Sequence, residues 1–80
     1  MPEEELFKTE ERVSRSEIAD AVRDAAEQIE SGDVRLVSDT DDRTVTVPES
    51  ALFEIELERL TDSETGERRY EHEYEIRWTT

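Results

Sequence analysis

The stretches LFEIELERL (residues 52–60) and RYEHEYEIRW (residues 69–78) alternate apolar and charged side chains along their length. A period of two is the pattern of a β-strand that turns one face toward apolar groups and the other toward water. Between them lie Asp62, Ser63 and Gly66, residues typical of a tight turn. The pattern therefore predicts an antiparallel pair of strands with two chemically opposite faces.

We name these two faces by their side chains. The apolar face, a possible surface for a dimer or another partner, consists of Phe53, Ile55, Leu57, Tyr70, His72, Tyr74, Ile76 and Trp78. The acidic face, which we expect to be solvated, consists of Glu54, Glu56, Glu58, Glu71, Glu73 and Glu75. Glutamates that face each other across strands destabilise the pair, and Arg69 and Arg77 are placed to relieve only the ends of this patch.

Upstream of these strands, residues 15–31 carry the signals of an amphipathic helix. Ser14 and Glu17 have the spacing of a capping box, in which side chains satisfy free backbone N–H groups at the helix start. Gly32 follows as a terminator in the left-handed conformation. The apolar stripe of the helix, with its recurrence every three or four residues, is Ile18, Val22, Ala25 and Ile29.

The remaining segments complete an α+β fold of order β-α-β-β-β-β. Residues 6–13 are a weak strand candidate, residues 34–37 alternate again, and residues 44–47 form a short strand that Pro48 ends. Residues 1–5 are a frayed acidic lead and residues 6–80 a single domain. We expect the helix to pack on one face of a four- to five-stranded, mainly antiparallel sheet. One helix, about 10 Å wide, cannot cover a sheet nearly twice that width, so the fold predicts a homodimer.

Composition excludes several classes of protein. Twenty-four acidic residues against ten basic ones give a net charge of −14, and the chain has no cysteine. Phosphate binding through lysine and arginine is disfavoured, so no nucleic-acid partner is expected. No apolar run approaches the roughly 18 residues of a membrane span, and no secretory leader is recognisable. We therefore expect a cytoplasmic protein with no membrane partner.

The pattern of charge indicates adaptation to high salt. Acidic residues are spread over the whole chain, and nine of the ten basic residues are arginines. At about 1 M salt the Debye length falls to roughly 3 Å, which screens repulsion among surface carboxylates. The alternative interpretation is an acidic protein that binds a basic partner. Potassium or magnesium ions are expected to associate only loosely, and no cofactor is expected.

The residue types needed for catalysis do not converge in the sequence. His72 is the only histidine, and alternation places it on the apolar face, away from Glu71 and Glu73. We interpret it as a partly buried histidine near a sheet edge or a dimer seam. A zinc site needs three or four nitrogen or sulfur ligands. The sequence therefore predicts neither a catalytic nor a metal site.

Four segments together resemble the amphi-Trp domain family: the capped helix start SRSEIA (residues 14–19), VTVP (45–48), FEIEL (53–57) and the closing strand YEIRW (74–78) with Trp78. The resemblance covers nearly the whole chain from Leu6 onward. It implies a small domain found largely in salt-loving archaea. The family carries no assigned activity, so no catalytic residue is transferred.

Three functions remain open. The first is a non-catalytic interaction or self-association module of a salt-adapted organism, which uses the apolar face. The second is an acidic charge mimic that binds a basic protein. The third is a small-ligand carrier or enzyme with a pocket lined by Tyr70, His72, Tyr74 and Trp78.

Overall fold

The computed structural model of the chain describes residues 3–80 and contains one helix followed by four strands. The elements are α1 (Arg15–Ser31), β1 (Asp33–Val37), β2 (Asp42–Thr46), β3 (Leu52–Thr61) and β4 (Arg68–Arg77). The strands form two antiparallel pairs, β1 with β2 and β3 with β4. The chain divides into two compact units, Met1–Glu49 and Ser50–Thr80. The α+β class and the antiparallel pairing predicted from sequence are confirmed.

Helix α1 begins and ends where its local signals predict. The Ser14 hydroxyl accepts a hydrogen bond of 3.1 Å from the backbone N–H of Glu17, which satisfies one of the free donors of the first turn. At the other end, Gly32 has φ of +101°, and its N–H donates to the carbonyls of Gln28 and Ile29 at 3.1 Å. Only glycine adopts this conformation without a steric penalty.

The first hairpin, β1–β2, is held by complementary side chains. The Arg35 guanidinium donates to both Asp42 carboxylate oxygens, at 3.0 and 2.6 Å, and this bond holds the pKa of Asp42 below its usual range. Thr46 donates its hydroxyl proton to Asp33 at 2.8 Å. In the turn, the Ser38 hydroxyl accepts from the backbone N–H of Asp41 at 3.0 Å. Strand β2 therefore begins at Asp42, two residues before the predicted start.

Helix α1 contacts β1 and covers its outer edge. The side-chain oxygen of Gln28 accepts a hydrogen bond of 2.7 Å from the backbone N–H of Arg35, while its amide donates to Asp24 at 2.9 Å. An uncovered strand edge is a template for unwanted pairing, and Gln28 occupies this one. Val34 lies beneath the helix at 9% exposure and is the only buried apolar residue among residues 3–80.

The second hairpin, β3–β4, has an unbroken antiparallel register from Leu52 opposite Arg77 to Thr61 opposite Arg68. Asp62 builds the turn between the strands. Its carboxylate accepts from the backbone N–H groups of Glu64 and Thr65 at 2.8 and 3.2 Å, which lowers the pKa of Asp62. Gly66 closes the turn with φ of +76° and donates to the Asp62 carbonyl at 2.9 Å.

One prediction about the strands is wrong. Residues 6–13 form no strand, because the polar run between Phe7 and Val13 lacks the alternation that would give it an apolar face. The four strands form two two-stranded sheets, and their union in one sheet of four or five strands stays a prediction. Short turns at residues 38–41 and 62–66 fix each hairpin locally. No comparable turn joins β2 to β3, and Pro48 in that connection has no N–H to donate. The predicted lead, residues 1–5, lies partly outside the described residues, and residues 3–5 have no regular structure.

Candidate interaction surface

The register of β3–β4 brings the predicted apolar residues together. Phe53 lies opposite Ile76, Ile55 opposite Tyr74, and Leu57 opposite His72. Because side chains alternate along each strand, these three pairs and Tyr70 share one side of the hairpin. The Phe53 and Tyr74 rings lie parallel within 3°, with centroids 6.1 Å apart. Trp78 follows the last residue of β4, is half-buried and lies outside the paired register.

Most of this apolar face is open to water. Phe53, Tyr70 and Tyr74 are 58%, 59% and 57% exposed, and Ile55 and Leu57 are 61% and 70% exposed. A large apolar side chain covers roughly 150–250 Å², so these five residues together expose on the order of 500 Å². The largest apolar patch of a typical monomer is about 300–600 Å² and is often functional. The apolar face is therefore within the size range of the apolar patches that often serve a function.

His72 lies in the middle of the apolar face. Its ring centroid is 4.6 Å from that of Tyr74, at an angle of 57° between the planes. The side chain is exposed in the single chain, and its partial burial near a sheet edge or a dimer seam stays a prediction. The glutamates on either side of it point to the opposite side of the hairpin, so the arrangement provides no carboxylate to work with the imidazole.

The opposite side of the hairpin is a ladder of like charges. Glu54 lies opposite Glu75, Glu56 opposite Glu73, and Glu58 opposite Glu71. These six residues are the predicted acidic face. Cross-strand carboxylates repel each other, so the ladder needs cations, protons or screening to persist.

Arginines relieve the ladder at its ends only. Arg77 bridges the first pair, with nitrogen–oxygen distances of 3.2 Å to Glu54 and 3.4 Å to Glu75. Arg69 approaches Glu71 at 3.5 Å. Within the described residues, the central pair, Glu56 and Glu73, makes no ion pair.

Glu56, at the centre of the ladder, keeps its proton to a higher pH than an isolated glutamate does. A hydrogen bond shared with the Glu58 carboxyl is the largest cause, followed by repulsion from Glu58, loss of hydration, and repulsion from Glu54 and Glu73. Together they raise the pKa of Glu56 to about 7. Near neutral pH the centre of the ladder therefore carries less charge than its composition suggests.

Sequence reasoning missed two residues on the apolar side. Arg59, opposite Tyr70, and Arg68, opposite Thr61, share this side at its turn end. The alternation of β3 could have located Arg59, because it continues the series Phe53, Ile55, Leu57. No aspartate or glutamate of β3 or β4 lies on this side. The hairpin thus keeps its carboxylates on one face and two arginines on the other.

The described residues, 3–80, offer no cluster of three or more histidine and carboxylate side chains that could hold a metal ion. The hollow at the turn end of the hairpin is lined by polar and charged residues and by Leu60, without the aromatic residues of the predicted pocket. No helix in this range is long and apolar enough to cross a membrane.

These features define a class, a small acidic α+β protein whose second hairpin separates an exposed apolar face from a glutamate ladder. The model of the Amphi-Trp domain family matches residues 1–80. The chain therefore belongs to the Amphi-Trp family, as its sequence resemblance indicated. Comparison with curated proteins and with solved structures gave no match.

Proposed function

We propose that this protein is a non-catalytic self-association module that buries the apolar face of its second hairpin against a second copy of the chain. The observation that carries the proposal is the exposure of that face, where five large side chains are 57–70% exposed. Burial of apolar area is favourable, and an exposed apolar patch of this size is often an interaction surface. A second copy offers an identical surface and needs no further partner.

The size of the face supports a dimer of modest affinity. A standard interface buries about 800 Å² per partner. The five residues with the largest exposure supply on the order of 500 Å² of this, and His72, Ile76 and Trp78 extend the same surface. Packing of α1 on a sheet stays a prediction.

We propose further that the protein works in the cytoplasm of a salt-adapted organism. Net charge of −14 and a ladder of six glutamates on one hairpin face support this. At molar salt, screening reduces repulsion across the ladder and lets the hairpin keep its register. Potassium and magnesium ions then neutralise the carboxylates without a dedicated site.

The test is the absolute mass of the full chain by light scattering after gel filtration, in roughly 2 M KCl, where screening is nearly complete. A mass of two chains is the expected result. A monomer over the whole accessible concentration range would overturn the proposal. The variant Leu57→Asp, which places a charge in the apolar face, should give a monomer. Its control, Glu58→Asp on the acidic face, should remain a dimer.

The glutamate ladder favours one alternative function, a charge mimic that binds a basic protein through the acidic face. Such binding weakens steeply as salt rises, which fits poorly with a salt-adapted protein. The two functions are separated by their response to KCl. Self-association through the apolar face strengthens or holds between about 0.2 and 2 M KCl, whereas capture of a basic protein is lost over the same range.

A further inference from the structure

The apolar side of the second hairpin is polarised along its length, and this polarity bears on how two copies can meet. Its turn end carries Arg59 and Arg68, and its open end carries Phe53 and Ile76. Along β3, Phe53 is eight residues from Thr61, the residue opposite Arg68, which is roughly 27 Å at 3.4 Å per residue. No carboxylate of either strand shares this side with the arginines.

Two symmetric arrangements can stack one such face on another. A two-fold axis parallel to the strands brings the two turn ends together. A two-fold axis perpendicular to the strands, within the plane of the interface, brings each turn end over the open end of the partner. Stacked sheets lie about 10 Å apart, so facing side chains from the two copies contact one another in either case.

The arginines distinguish these arrangements. With the turn ends together, Arg59 and Arg68 of both copies meet between two apolar faces that hold no carboxylate. Charges partly buried in an interface are screened much less by salt than exposed ones, and a buried charge without a partner is costly. With the ends opposed about the Leu57–His72 pair, Arg59 lies over the Ile55–Tyr74 pair and Arg68 over the Phe53–Ile76 pair. The arginines of the two copies then lie on opposite sides of the two-fold axis and do not meet.

We infer that two copies of the chain stack their second hairpins in opposite directions, with the turn end of each over the open end of the other. This inference rests on the proposed function, because it specifies the geometry of the same self-association. The apolar faces supply the affinity, and the placement of Arg59 and Arg68 sets the direction. Leu57 and His72 then lie at the two-fold axis.

The experiment uses spin labels on the full chain in about 2 M KCl. Because the protein has no cysteine, Ser63→Cys labels the turn end alone and Thr79→Cys labels the open end alone. Ser63 is six residues from Leu57, so opposed hairpins separate the two turn labels by about 40 Å. A mixture of the two variants, one label per chain, should give heterodimers with a short distance near the spacing of stacked sheets. Gel filtration with light scattering measures the mass of the same samples.

The outcomes separate the two proposals. A dimer with a long Ser63–Ser63 distance and a short Ser63–Thr79 distance supports both. A dimer with a short Ser63–Ser63 distance overturns the opposed arrangement and leaves self-association intact. A dimer in which neither pairing is short uses another surface and also overturns the inference. A monomer overturns the proposed function and the inference together.

Discussion

Replacing Leu57 with alanine removes most of a side chain at the centre of the apolar face, where it is 70% exposed in the single chain. Full burial of a leucine side chain is worth about 1.5–3 kcal/mol, so the exposed part gives roughly 1–2 kcal/mol per copy on association. A symmetric dimer contains the residue twice. Since alanine retains part of the contact, we expect a loss of about 2–3 kcal/mol, which raises Kd about 30- to 150-fold.

The assay is sedimentation equilibrium of the full chain in about 2 M KCl, with circular dichroism to confirm that the hairpin is intact. Leu60→Ala is the matched control, because Leu60 is in the same strand, is 43% exposed and lies on the opposite side, across from Arg69. We expect the control to change Kd less than about threefold. An unchanged Kd for Leu57→Ala, or equal changes in both variants, would refute the reasoning.

Further predictions concern the ladder and the helix. The pKa of Glu56 is raised to about 7 in the folded hairpin, whereas the unfolded chain releases this proton near the ordinary pKa of 4.5. The stability that comes from this proton is therefore fully present below pH 4.5 and is lost as pH rises through about 7. Thermal unfolding between pH 4 and 8.5 should show this loss, and Glu56→Gln should flatten the profile; a variant that keeps the wild-type profile contradicts the assignment. The KCl concentration needed for folding should fall when Glu56, Glu58, Glu73 and Glu75 are replaced by glutamine. An unchanged KCl requirement excludes cross-strand repulsion as its cause. Ser14→Ala should destabilise α1 by about 1 kcal/mol in chemical unfolding, whereas Ser16→Ala, inside the helix, should have little effect; equal effects contradict a capping role.

The two hairpins illustrate two ways in which side chains act on a β-strand pair. In β1–β2 the diagonal pair Arg35 and Asp42 is complementary and bidentate. In β3–β4 the facing residues Glu56 and Glu73 repel each other. The two strands are held together by backbone hydrogen bonds, by aromatic stacking and by Arg77 at the open end. The first hairpin is therefore expected to tolerate dilute buffer better than the second. Salt and protons act on the hairpin that carries the apolar face.

Elements with local causes could be predicted from the sequence alone. Helix α1 spans residues 15–31 as predicted, because its cap at Ser14, its apolar stripe and the terminator Gly32 all act within a few residues. The separation of β3–β4 into an apolar and an acidic face follows from period-two alternation and a short turn. That turn also fixes the register, so the glutamate pairs could be anticipated.

Features that depend on residues distant in sequence, or on geometry across strands, required the folded structure. It placed Gln28 on the edge of β1 and put Arg77 between Glu54 and Glu75. A period of two gives the face of each side chain, whereas the partner across the strand and the groups around it are set by the folded chain.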